Sequence, residues 1–250
     1  GIVVIGGLKR IAEVATFLVP LMGSIYFGAM IVALMLNLNL LLPAFKLILV
    51  DAFNGTAIAG GTFFGVLIYG VRRGAFSNEA GMGTESLVHG VAKVSNPVKQ
   101  GLVAMTGPIF DTLIICTATA LMILVSGVWE TSSSQGVTLT AEAFSILLGN
   151  FGGLILFVCV ICFGLSTIFT YSYYGASCSR FLFGKFGMKF YIYLYILSIF
   201  VYSIVPIDIA INIADGAFAM MAIPTLISAL WLAPKVMQAS KNYFKLIDNN

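Results

Sequence analysis

Six stretches of this chain, residues 12–36, 57–83, 101–128, 142–174, 188–205 and 208–233, are each long and apolar enough to cross a lipid bilayer. The hydrocarbon core is about 30 Å thick, and roughly 20 apolar helical residues span it. Inside that layer every backbone amide and carbonyl must be satisfied within the protein, so runs of this length are helices. The expectation is an all-α polytopic membrane protein with six transmembrane helices in a single transmembrane domain, residues 1–250. Composition excludes an ordinary soluble domain: 60% of the 250 residues are hydrophobic and 9% are charged, where soluble domains carry about 25% charge. A net charge of +3 in such a chain reports orientation in the bilayer and suggests no nucleic-acid partner.

The basic residues order the loops. With the first span running outward, the cytoplasmic segments hold Lys9, Arg10, Lys93, Lys99, Arg180, Lys185, Lys189, Lys235, Lys241 and Lys245, ten of the thirteen. The outer loops hold Lys46, and Arg72 and Arg73 stay within the second span. Outer residues 129–140 carry Ser, Thr, Gln and Glu130 instead. The positive-inside rule then places both termini in the cytoplasm. Residues 38–54 are too polar to span but apolar enough to lie as a helix over the mouth of the protein. Pro224 leaves the last segment open to being one kinked helix or two. The opening Gly6-Gly7-Leu8-Lys9-Arg10 reads as a cytoplasmic loop between two spans, as in a piece of a longer protein.

Against this background, Arg73-Gly74-Ala75-Phe76-Ser77-Asn78-Glu79-Ala80-Gly81-Met82-Gly83 is out of place. A bilayer tolerates broken helix only where the freed backbone groups face protein or a water-filled cavity. Such breaks hold transported solutes and ions. Gly74, Gly81 and Gly83 permit the required backbone, and Ser77 and Asn78 add a hydroxyl and an amide suited to a zwitterion. Arg73 and Glu79 flank the break and could pair across it, or merely fasten the helix. Gly60, Gly61 and Gly65, higher in the same span, fit close helix packing.

Other ionisable residues within the spans are few, and each is costly in lipid unless it faces the interior or water. Asp111, read as one turn into the third span, could cap a helix or bind a neighbour's backbone. Asp215 shares a helix face with Asn212, as a polar lining or an interhelical bond. In the fourth span, Ser166 and Thr167 with the Phe163 carbonyl one turn earlier offer three oxygens to a small hard cation, although such hydroxyls routinely bond their own helix. Tyr171, one turn on, could wall a small pocket. Cys159 and Cys162 form a mid-helix CxxC that reads as packing, and His89 reads as an interfacial residue. No metalloprotease motif and no nucleophile–histidine pairing is present, so no enzyme and no enzyme cofactor is expected.

At these residues the chain resembles the alanine or glycine:cation symporter family, the sodium:alanine symporters. The resemblance runs through the 73–83 block, Asn96-Pro97-Val98-Lys99-Gln100-Gly101-Leu102, Phe110-Asp111-Thr112-Leu113-Ile114-Ile115-Cys116-Thr117, Phe163-Gly164-Leu165-Ser166-Thr167-Ile168, Tyr173-Tyr174-Gly175 and Met221-Ala222-Ile223-Pro224. It implies a LeuT-like fold of two inverted five-helix repeats, of which this chain would hold the fifth helix and the second repeat, with the first repeat missing. It also implies Na⁺- or H⁺-coupled uptake of alanine or glycine by alternating access through a prokaryotic plasma (inner) membrane. Phe76, Ser77, Asn78, Gly81, Gly83 and Tyr171 would then contact the amino acid. Phe163, Ser166 and Thr167 would form half of a sodium site. The chain departs from the family where Tyr171 stands for the usual Trp, Ala176 for an acidic residue, and Phe218 and Thr225 for Asn. The implied partners are the amino acid, the bilayer and the missing first repeat. The rival readings are a channel-like module and a non-transporting remnant.

Overall fold

The structure, a computed structural model, describes residues 7–52 and 62–248, and among these it is built from helices. In chain order they are α1 (Gly7–Leu36), α2 (Leu38–Ala52), α3 (Thr62–Asn78), α4 (Thr84–His89), α5 (Pro97–Pro108), a π-helix (Ile109–Cys116), α6 (Thr117–Ser126), α7 (Val128–Thr131), α8 (Val137–Leu148), α9 (Asn150–Tyr202) and α10 (Ile207–Asp248). Four stretches are long and apolar enough to cross a membrane: Glu13–Leu36, Pro97–Ser126, Asn150–Tyr202 and Ile207–Ile247. The chain is a multi-pass, all-helical membrane protein.

Several expected boundaries move. Gly7 to Arg10 belong to α1 rather than to a loop. The second expected span ends as helix at Asn78; its residues 57–61, with Gly60 and Gly61, lie outside the described residues. The third starts at Pro97, which suits the first helical turn because its missing N–H would have no partner there; Asn96 caps it by accepting the Val98 amide at 2.9 Å. Residues 142–148 of the fourth expected span belong to α8, which Gly149 separates from α9. Residues 38–52 form the expected helix α2. Pro224 does not split the last segment, since α10 continues through it and through Pro234.

A straight helix of 53 residues would be about 80 Å long, far more than a bilayer is thick. Gly184 resolves the excess. It has φ 68° and ψ −158°, a conformation that glycine reaches without steric cost, and it joins two helical arms, 150–183 and 185–202. Gly175 and Tyr191 would stand about 24 Å apart along one straight helix. Instead the Tyr191 ring lies against Gly175, so the chain doubles back. These arms take the place of the fourth and fifth expected spans, with helix persisting to 183 where a loop from 175 was expected.

The chain divides into two compact units. The first takes in the chain up to Ile68 together with Leu113–Leu194. Its core is Tyr26, Met30, Ala33, Met122, Phe144, Leu156 and Cys159. Tyr26 stacks on Phe144 with ring centroids 5.5 Å apart, meets Phe163 edge-on at 5.8 Å, and pairs its hydroxyl with Thr119 at 2.9 Å. Cys159, 1% exposed, is a packing residue as its position suggested. The second unit comprises Tyr69–Thr112 and the chain from Tyr195 onward.

Candidate functional site

The break in the helix lies in the second unit. The helix runs through Phe76, Ser77 and Asn78 and ends there, so the break takes up only residues 79–83 of the Arg73–Gly83 run. Glu79 sits at φ 56°, a left-handed conformation that costs a non-glycine residue about 1–2 kcal/mol. Gly81 and Gly83 follow at φ 78° and 89° before α4 resumes at Thr84. The loop is closed by the Met82 amide donating to the Glu79 carbonyl at 3.1 Å.

Asn78 shapes the turn directly. Its side-chain oxygen accepts the Ala80 amide at 2.9 Å, the bond by which Asn ends a helix and starts a turn. Its side-chain nitrogen donates to the Thr112 hydroxyl at 3.1 Å, and the Ser77 hydroxyl donates to the Asp111 carboxylate at 2.5 Å. Asp111 therefore lies well inside its helix rather than one turn from its start, and it binds a side chain rather than a neighbour's backbone. Both acceptors stand on the π-helix that follows Pro108. Proline lacks the N–H for the helical ladder and crowds the carbonyl four residues back, and π-helical segments of this kind frequently accompany functional sites.

α10 supplies the other wall. Asp215, Phe218, Thr225 and Leu226 fall on one face of that helix. The Arg72 guanidinium pairs with Asp215, which is 9% exposed, and lies 5.8 Å from the Phe76 ring centroid. Phe76 packs against Phe218 with the ring planes tilted by 59° and centroids 5.1 Å apart. A side-chain carbon on Gly83 would fall 2.6 Å from the Thr225 hydroxyl, and one on Gly81 would fall 3.8 Å from Leu226. The ion pair here thus uses Arg72, while Arg73 lies over Tyr69 of its own helix at 5.0 Å. Beyond the break, His89 shares a hydrogen bond of 2.7 Å with Gln100. Burial raises the Glu85 carboxyl above its ordinary range; nearby His89 opposes this and Glu79 adds to it.

Phe163, Ser166, Thr167 and Tyr171 lie in the first unit. The Ser166 hydroxyl, 9% exposed, donates to the Phe163 carbonyl at 2.9 Å, and the Ser166 carbonyl accepts from Thr170 at 2.9 Å. Two of the three expected cation-binding oxygens are therefore adjacent, bonded to each other as helical hydroxyls are. Thr167 is exposed, and Tyr171 packs edge-on against Tyr174 at 5.3 Å. The residues that sequence reasoning missed are Thr84 and the Phe218–Thr225 face. Thr84 carried no signal, whereas Phe218 and Thr225 were marked by departing from the family pattern.

Sequence comparison relates the chain to known transporters. The chain is 35% identical to the sodium/alanine symporter AgcS of Methanococcus maripaludis, over 99% of this chain and 55% of the relative. It is 34% identical to an uncharacterized transporter of Haemophilus influenzae, over 100% of this chain and 56% of that protein. It is also 34% identical to a Bacillus subtilis protein named as a probable sodium/glutamine symporter, GlnT, over 97% of this chain and 51% of the relative. The chain spans about half the length of the curated relatives it matches. The profile of the sodium:alanine symporter family, a family of transporters and not of enzymes, matches residues 1–250. With that match along its whole length, the chain belongs to the sodium:alanine symporter family.

Proposed function

We propose that the chain carries one side of the binding site of a cation-coupled symporter for small neutral amino acids, alanine or glycine, working by alternating access in a prokaryotic plasma membrane. The observation that carries this reading is the break at 79–83, built by Asn78 and pinned through Ser77 to Asp111. A helix interrupted in this way offers backbone N–H and C=O groups that the helix itself no longer uses, and these can meet a carboxylate and an ammonium group. Phe76, Ser77, Asn78, Gly81 and Gly83 form this side of the site; Tyr171, the other amino-acid contact that the resemblance implies, lies in the first unit. Ser77 and Asn78 act first by holding the turn, because their side chains already bond Asp111 and Thr112.

Na⁺ is the coupling ion of this proposal, with H⁺ as the alternative. Phe163, Ser166 and Thr167 contribute its ligands, the carbonyl and two hydroxyls being hard oxygen donors of the kind Na⁺ prefers. The ion is cargo, and its descent drives the solute: one charge crossing 100 mV releases about 2.3 kcal/mol. In this reading the chain forms six spans with both ends cytoplasmic. It corresponds to the second repeat of a LeuT-like fold and its preceding helix, and the first repeat completes the site. Resemblance to a protein named for glutamine keeps solute size open, so glutamine belongs in the test.

The experiment is uptake of labelled alanine by the intact gene product in proteoliposomes, with an imposed Na⁺ gradient and with glycine and glutamine as competitors. Saturable, Na⁺-dependent uptake supports the proposal, and replacing Ser166 and Thr167 together by Ala raises the Na⁺ concentration for half-maximal rate. Uptake indifferent to both Na⁺ and pH refutes the symporter reading in favour of a channel-like module.

A further inference from the structure

Thr84 opens the short helix after the break and is 1% exposed. Among the described residues, its Oγ1 is the buried side-chain oxygen that has no hydrogen-bond partner. Other hydroxyls of the second unit turn back onto their own backbone: Ser86 donates to the Gly83 carbonyl at 2.7 Å, Thr106 to Val103 at 2.7 Å and Thr225 to Met221 at 2.9 Å. A helical Ser or Thr can do this because the carbonyls three and four residues earlier point along the helix towards it. For Thr84 those carbonyls belong to Gly81 and Ala80, within the break. There the positive φ values of Glu79, Gly81 and Gly83 carry the backbone off the helical path. The turn that precedes Thr84 therefore removes the acceptor that this buried hydroxyl would otherwise use.

Thr225, whose hydroxyl donates to Met221 on α10, makes no hydrogen bond with Thr84. A buried hydroxyl without a partner is costly, and an apolar side chain of similar shape would avoid the cost. A group that binds at the break relieves it. We propose that the Thr84 hydroxyl is a binding contact for the solute held at the break, a zwitterionic α-amino acid whose carboxylate and ammonium groups can both hydrogen-bond to a hydroxyl. This rests on the break being an amino-acid half-site, and it adds a specificity residue to that site.

The test uses the intact protein with alanine at saturating Na⁺, measuring both alanine affinity and the unfolding temperature without alanine. Thr84→Val keeps the side chain's shape and removes the hydroxyl. It is expected to leave the alanine-free unfolding temperature unchanged or raised while weakening alanine binding tenfold or more, the loss of one hydrogen bond to a charged group. Thr84→Ser restores affinity to within about threefold, because the hydroxyl returns. Alanine affinity within twofold of the unmodified protein in Thr84→Val overturns the contact, and so does a Thr84→Val protein that no longer folds, which would mean the hydroxyl has a structural partner. Absence of saturable alanine binding in the unmodified protein overturns the half-site reading as well, so the two failures are distinguishable.

Discussion

Replacing Gly83 by Ala tests the break at its tightest point, because two independent penalties meet there. The first is conformational: Gly83 sits at φ 89°, and an L-residue held in left-handed backbone pays about 1–2 kcal/mol. The second is steric: the new methyl would lie 2.6 Å from the Thr225 hydroxyl. Threonine in a helix can change χ1 rotamer to relieve the clash, since its two rotamers are of comparable energy. The rotation, however, gives up the Thr225 bond to the Met221 carbonyl, worth about 0.5–1.5 kcal/mol. Together they predict a loss of roughly 2–3 kcal/mol from the local structure. The second penalty belongs to the pair and the first does not. A double-mutant cycle with Thr225→Ala should therefore recover about 1 kcal/mol of coupling and leave the conformational part in place. The assay is thermal or denaturant unfolding of the intact protein in detergent, with alanine uptake measured alongside. Gly83→Ala within 0.5 kcal/mol of the unmodified protein, or no coupling to Thr225→Ala, would refute the packing of the break against α10.

Three further outcomes follow from the same geometry. Arg72→Ala leaves the nearly buried Asp215 charge without its partner and should cost about 1–3 kcal/mol, less than a fully buried pair because the Arg72 side chain is 46% exposed; adding Asp215→Asn should restore part of the loss, and a double variant no better than the single one removes the ion pair from the account. Glu85, outside the long apolar helices, has a folded carboxyl pKa raised from 4.5 chiefly by burial, so its folded state binds more protons than its unfolded state and loses stability as pH climbs from 4.5 through the raised value. Unfolding temperatures from pH 4 to 8 should show Glu85→Gln gaining on the unmodified protein as pH rises, with no difference at the acid end, and a gap that widens towards acid would reverse the sign. Phe144, fully buried against Tyr26, should cost about 3–5 kcal/mol when cut to Ala, and a loss below 1 kcal/mol would contradict the core of the first unit.

The helical membrane architecture was legible because bilayer thickness imposes a length on every crossing and the apolar runs carry it openly. The break was legible too, since Gly-rich polar sequence has no other place in such a chain. Its extent was not. Whether Phe76 to Asn78 remain helical depends on side-chain bonds to Asp111 and Thr112, residues more than thirty positions away, which local sequence does not reveal. The partner of Asp215 was hidden for the same reason: Arg72 and Arg73 are adjacent, and only the packing of α10 selects the first. The hairpin at Gly184 was read as a longer loop because a single glycine with positive φ replaced the polar linker that a reversal usually needs. Thr84 was invisible, since nothing in a Gly-Thr-Glu run announces that a hydroxyl will be buried without an acceptor.

The central claim, that the break at 79–83 is an amino-acid half-site, is tested most directly by Na⁺-driven alanine uptake in proteoliposomes carrying the intact protein or its Asn78→Ala variant. Asn78 terminates the helix and ties the turn to Thr112, so its truncation is expected to abolish saturable alanine uptake at unchanged expression. Uptake by Asn78→Ala with the KM and Na⁺ dependence of the unmodified protein would contradict it.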